Sequence, residues 1–236
     1  MTKFAVFDID GTLIRWQLYH TVVDRLAKQG YLGKDVYAEI KQARMQWKRR
    51  ENPESYKQYE KTVIKGFESA LGHLSTDDFD RIGLDVIDEY KDQTYVYTRN
   101  LIAKLKAQGY FLLAISGSHH ELIGLLANYY EFDDYTGSHY LRIGNKYSGE
   151  KIIASIDKES ILRQMIDKHN LDTKDSYGIG DTKGDMTILK VVDNPIAFNP
   201  DQQLFDDAKQ NGWKIVVERK NVVYQLEPTG KTYQLQ

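Results

Sequence analysis

Phe4-Ala5-Val6-Phe7-Asp8-Ile9-Asp10-Gly11-Thr12 is the stretch that decides the fold. Its first four residues are apolar without a break. A strand with one wet face alternates apolar and polar residues, so an unbroken run suits a strand buried on both faces, as in a parallel sheet. Two acids and a glycine follow at once. The chain therefore leaves the strand with carboxylates at its carboxyl end, the place where open α/β sheets bind ligands.

Working outward, residues from about Arg15 to Tyr90 repeat apolar positions at helical spacing. Leu18, Val22, Val23 and Leu26 share one face, and Tyr56, Tyr59, Val63 and Phe67 another. Beyond Tyr97 strands and helices alternate. Phe111–Ile115, Tyr177–Ile179, Ile196–Phe198 and Ile215–Val217 read as buried strands, with helical stripes between them. Residues 140–152 carry turn chemistry at Gly144-Asn145 and Ser148-Gly149, and predict a small hairpin. Alternating residues around Pro228-Thr229-Gly230 predict a second hairpin in the tail after Arg219. This rhythm predicts an α/β fold with a doubly wound, mainly parallel sheet. The helical block interrupts it after the first strand and reads as an inserted α-helical cap domain. The expected organisation is a core of residues 1–14 and 95–236 with a cap at 15–94.

Bulk composition narrows the function classes. The chain has 236 residues, 41% hydrophobic and 28% charged, with a formal net charge of −2. That balance gives no electrostatic reason to expect nucleic acid or an anionic membrane as partner. There is no cysteine, which excludes disulfides, thiolate metal sites and cysteine nucleophiles. Met1-Thr2-Lys3 runs straight into the first strand with no leader pattern, and no apolar run approaches bilayer length. A cytoplasmic protein is the expectation.

Other polar residues gather at predicted strand ends. Ser116-Gly117 follow the second core strand, Gly180-Asp181-Thr182-Lys183-Gly184-Asp185 the third, and Lys158 opens the helix before it. Together with Asp8 and Asp10, this set resembles the four motifs of the haloacid dehalogenase superfamily. The helical insert and the stretch Asn194–Pro200 are similar to its phosphoserine-phosphatase-like branch. The resemblance spans roughly residues 1–218 and implies a phosphohydrolase. Asp8 would attack phosphorus and form an aspartyl-phosphate. Asp10 would protonate the leaving oxygen and then activate water. Ser116 and Gly117 would bind phosphoryl oxygens, and Lys158 would neutralise both Asp8 and the phosphoryl group. Mg²⁺ would take the Asp8 carboxylate, the Asp10 carbonyl and the Asp181 carboxylate, with Thr12 and Asp185 in support. Displacing halide needs no proton, so the second aspartate favours phosphate esters. The expected partner is a small phosphorylated metabolite.

Some residues stand apart from that set. Phosphoserine phosphatases have a glutamate for the substrate ammonium where this chain has Gln17. Arg15, Trp16, Tyr19 and His20 either recognise a leaving group or pack a cap onto the core. Arg44, Lys48, Arg49 and Arg50 either contact an anionic substrate or RNA or form a solvated helix face, the reading preferred; His119 and His120 either face the site or are surface helix residues, again the reading preferred. Transfer to an acceptor other than water would use the same motifs. A binding protein on this scaffold would be expected to lose a catalytic acid or the lysine, and all are present.

Overall fold

Phe4, Ala5, Val6 and Phe7 are fully buried in the computed structural model, which describes residues 2–229 and 232–235. They lie on β1 (Thr2–Phe7). The other strands are β2 (Phe111–His119), β3 (Asp134–Ile143), β4 (Lys146–Ile152), β5 (Leu171–Gly180), β6 (Asn194–Phe198), β7 (Lys214–Arg219), β8 (Val222–Thr229) and β9 (Thr232–Leu235). They form a nine-stranded sheet in the order β4-β3-β2-β1-β5-β6-β7-β8-β9. β1 runs parallel to both neighbours, with Val6 opposite Leu113 on β2 and Gly178 on β5. β2–β3, β5–β6 and β6–β7 are parallel as well, whereas β8 and β9 continue the sheet antiparallel. The fold is thus α/β with a mainly parallel sheet, as the alternation of elements predicts. Gly230, where the sequence puts the turn of the tail hairpin, lies outside the described residues.

The helices are α1 (Leu18–Lys28), α2 (Lys34–Lys48), α3 (Ser55–Ala70), α4 (Thr76–Tyr90), α5 (Val96–Ala107), α6 (His120–Tyr130), α7 (Lys158–His169), α8 (Met186–Leu189) and α9 (Gln202–Asn211). None of the described helices is long and apolar enough to cross a membrane. One face of the sheet packs Phe4, Val6, Leu113 and Ile115 against Leu162 and Met165 of α7 and Ile188 of α8. At this density each methylene removed is felt.

By contacts the chain divides into two units: Met1–Gln17, Ile87–His139 and Ile153–Gln236, and Leu18–Val86 with Tyr140–Ile152. The second is built on helical stripes. Leu18, Val22, Val23 and Leu26 of α1 are fully buried, as are Tyr59, Val63, Phe67 and Ala70 of α3. Periodicity alone leaves the β3–β4 hairpin with the sheet, yet its contacts lie with these helices. Arg142 grips Asp80 of α4 through two hydrogen bonds, 2.8 and 2.7 Å long. The Tyr140 ring meets Phe67 edge-on at 4.9 Å. Asn145 accepts from Thr76 Oγ1 at 2.8 Å.

Candidate active site

The chain leaves β1 in a tight turn. Leu13 and Ile14 both donate backbone N–H groups to the Ile9 carbonyl, at 2.9 Å. Gly11 takes φ +83° there, and a Cβ on it would lie 2.2 Å from Asp181 Oδ2. Only glycine meets both demands. Gly180, at the end of β5, is held to glycine by space alone, because a Cβ there would sit 2.3 Å from that of Asp185.

These close approaches concentrate carboxylates. Asp8, Asp181 and Asp185 each offer an oxygen within 4.8 Å of the other two. Lys158, the first residue of α7, enters among them. Its Nζ donates to Asp8 Oδ1 at 2.7 Å, to Asp185 Oδ1 at 2.6 Å and to the Ile115 carbonyl at 3.1 Å. Lys158, Asp8 and Asp185 are only 4%, 5% and 0% exposed, so water screens none of these interactions. Asp185 is fixed from its other oxygen, which accepts from Thr182 N and Thr182 Oγ1, both at 3.0 Å. Thr12 Oγ1 donates to Asp181 Oδ1 at 3.2 Å. Ser116 Oγ donates to Asp10 Oδ2 at 3.1 Å.

Three acids share one ammonium in a dry site, and their acidity shows it. Burial pushes the Asp8 carboxyl up to about 7; Lys158 opposes the rise, and Asp185 and Asp10 add to it. Burial, then the charges of Asp8 and Asp185, also hold Asp181 well above the usual carboxylate range. Burial disfavours the charge on Lys158, but Asp185 and Asp8 outweigh it and raise the amine above its ordinary value. The cluster is short of positive charge. Its donors are hard carboxylate oxygens, the ligands that Mg²⁺ prefers.

All eight residues picked out in the sequence lie at these strand ends or at the start of α7. The sequence signal missed three contributors. The Ile115 carbonyl holds Lys158, the Ser118 amide donates to Ser116 Oγ at 3.1 Å, and Ser138 Oγ donates to the Gly117 carbonyl at 2.8 Å. A backbone carbonyl and two ordinary serines carry no motif. Tyr95 is a fourth omission; the Arg15 guanidinium lies 5.6 Å from its ring centroid, and Asp181 helps burial to raise its hydroxyl pKa.

The remaining candidates sit elsewhere. Arg44 belongs to the helical unit, where it donates to Asp24 at 2.7 Å and Tyr59 Oη at 2.8 Å. It is therefore no part of an open basic face. Tyr19 and Tyr140 share a hydrogen bond of 2.9 Å within the same unit. His119 is 1% exposed rather than a surface residue, and His120 stacks on His139 with 3.9 Å between ring centroids.

Comparison with known proteins shows the family and the fold. A family model described as haloacid dehalogenase-like hydrolase matches residues 5–190. Over 232 residues the chain is 25% identical to the histidinol-phosphatase of Neisseria meningitidis serogroup C, covering 92% of this chain and 99% of that protein. It is 24% identical over 224 residues to phosphoserine phosphatase SerB1 of Mycobacterium tuberculosis, covering 91% of this chain and 70% of that one. A solved phospho-aspartyl intermediate analogue of a phosphoserine phosphatase superposes with a TM-score of 0.64 at 18% identity, covering 93% of this chain and 94% of that chain.

Proposed function

The chain is an enzyme that belongs to the haloacid dehalogenase-like hydrolase family, and from that premise we propose that it is a Mg²⁺-dependent phosphatase of small phosphate monoesters. The observation that carries this reading is Lys158 bridging Asp8 and Asp185, with Asp181 alongside. A carboxylate buried against a fixed ammonium, in a cluster that still lacks positive charge, is arranged to meet a dianionic phosphoryl group together with a divalent cation.

In this reading Asp8 attacks phosphorus. A P–O bond forms to its carboxylate as the bond to the leaving oxygen breaks, and Asp10 gives that oxygen its proton. The aspartyl-phosphate is then cleaved by water, whose proton returns to Asp10. The Gly117 N–H holds a phosphoryl oxygen, Ser116 beside it keeps its one hydroxyl proton on Asp10 Oδ2, and Lys158 offsets the phosphoryl charge. Asp8, Asp181 and the Asp10 carbonyl would hold Mg²⁺, with Asp185 in support; when bound, the ion supplies Lewis-acid stabilisation of the phosphoryl charge. The helical unit acts as an inserted cap domain.

The relatives named above act on different phosphate esters, and Gln17 replaces the glutamate expected for an ammonium-bearing substrate. We therefore assign a reaction and a substrate class rather than one substrate. A panel of phosphorylated metabolites, histidinol phosphate and phosphoserine among them, tests the reading with Mg²⁺ present. Turnover by the wild type and none by Asp8→Asn, folded to the same extent, is the expected result. Turnover retained in Asp8→Asn would rule out the aspartyl-phosphate.

A further inference from the structure

The β2–β3 ladder breaks at the candidate phosphate-binding loop. Ile115 pairs with Thr136 and His119 with Ser138. Three residues on β2, Ser116 to Ser118, therefore face the single residue Gly137 on β3. A bulge of this kind takes backbone groups out of the ladder and re-aims them. Gly137 makes it possible, because a Cβ there would lie 2.6 Å from the Ser118 carbonyl oxygen and 2.8 Å from His120 Cα. The next residue, Ser138, is 1% exposed. Its hydroxyl donates to the Gly117 carbonyl at 2.8 Å and accepts from the Ala154 N–H at 3.2 Å.

These bonds join others in one direction. Ala154 N–H donates to Ser138 Oγ, and Ser138 O–H donates to the Gly117 carbonyl. The same peptide group continues through Ser118 N–H to Ser116 Oγ, at 3.1 Å, and Ser116 O–H ends on Asp10 Oδ2, at 3.1 Å. Every donor points the same way, so each bond polarises the next. The chain begins four residues before Lys158 and ends on Asp10.

We infer that Ser138 is a positioning residue for the hydrolysis, acting through Gly117 and Ser116 to hold the Asp10 carboxyl in place for proton transfer to the leaving group. This rests on the phosphatase reading. Without the Ser138 hydroxyl the Gly117–Ser118 peptide loses one of its two hydrogen bonds, and its hold on Ser116, and through Ser116 on Asp10, slackens.

The test uses two esters of the same shape. Phenyl phosphate needs its leaving oxygen protonated, whereas 4-nitrophenyl phosphate departs without help. Ser138→Ala should lower kcat/KM, which reports the step in which the leaving group departs, about 10-fold on phenyl phosphate and about 3-fold on the nitro ester, a fraction of what a general acid contributes. Ser138→Thr, which keeps the hydroxyl, should recover most of the loss. An equal loss on both esters would mean a packing defect and would overturn the inference, as would wild-type rates in Ser138→Ala. If the alanine variant does not fold, Ser138→Cys fills the same site with a weaker donor and gives the same comparison. Wild type and Asp8→Asn run alongside. An inactive wild type removes the phosphatase reading itself, whereas an active wild type, an inert Asp8→Asn and an unchanged Ser138→Ala remove only the role of Ser138.

Discussion

Gly11 and Asp181 approach so closely that no side chain fits between them. Gly11 also holds φ +83°, so two separate penalties fall on any replacement. Gly11→Ala must strain the backbone and push the Asp181 carboxylate away. Strain of this kind costs of order 1–3 kcal/mol. We expect a lower unfolding midpoint in denaturant and at least a tenfold loss of kcat; a variant with wild-type activity would show that Asp181 can move without consequence.

Lys158 is the only cation bonded to Asp8 among the described residues. Lys158→Met keeps the chain length but leaves Asp8, Asp185 and the Ile115 carbonyl facing an apolar group. Removing one partner from a buried ion pair destabilises by about 3–5 kcal/mol. Denaturant titration at neutral pH should show that loss together with loss of turnover. Stability equal to wild type would mean that water or protonation readily replaces the ammonium.

Excess negative charge predicts a response to metal before any substrate is added. A hundredfold excess of Mg²⁺ over its Kd stabilises by about 2.7 kcal/mol, which corresponds to roughly 5–10 °C in a protein of this size. Thermal melts with Mg²⁺ against EDTA should show the shift in the wild type, and Asp181→Asn should lose most of it. A shift of equal size in both proteins would remove Asp181 from the proposed metal site.

His20 sets a pH dependence in the helical unit. Burial, with help from the Arg44 charge, lowers its pKa from 6.5 to about 3. Between those values the unfolded chain binds a proton that the native state does not, so stability rises with pH across the window and falls as acid is added. The contribution lost from pH 6.5 to 5 is roughly 2 kcal/mol. Chemical unfolding measured across that range should be flatter for His20→Gln than for wild type, and parallel curves would refute the assignment.

What could be read in the sequence was what local chemistry determines. Phe4 to Phe7 suits a strand with two covered faces, and Asp8, Asp10 and the Asp181–Asp185 segment come just after strands. The β3–β4 hairpin was legible as a hairpin, but not its attachment. That depends on Arg142 finding Asp80, and Asn145 finding Thr76, more than sixty residues away. Ser138 was invisible for a related reason. Its importance comes from a register break between two strands, and nothing in the residues beside it signals that break.

β1 lies between β2 and β5, and this placement affects how the enzyme is made. Asp8 directly follows β1, yet its counter-charge arrives 150 residues later and the carboxylates beside it later still. Contacts this distant in sequence form slowly. A growing or partly folded chain therefore carries Asp8 for a long interval without the ammonium that pairs with it. Activity appears only when most of the sheet has assembled, so turnover doubles as a measure of completed folding.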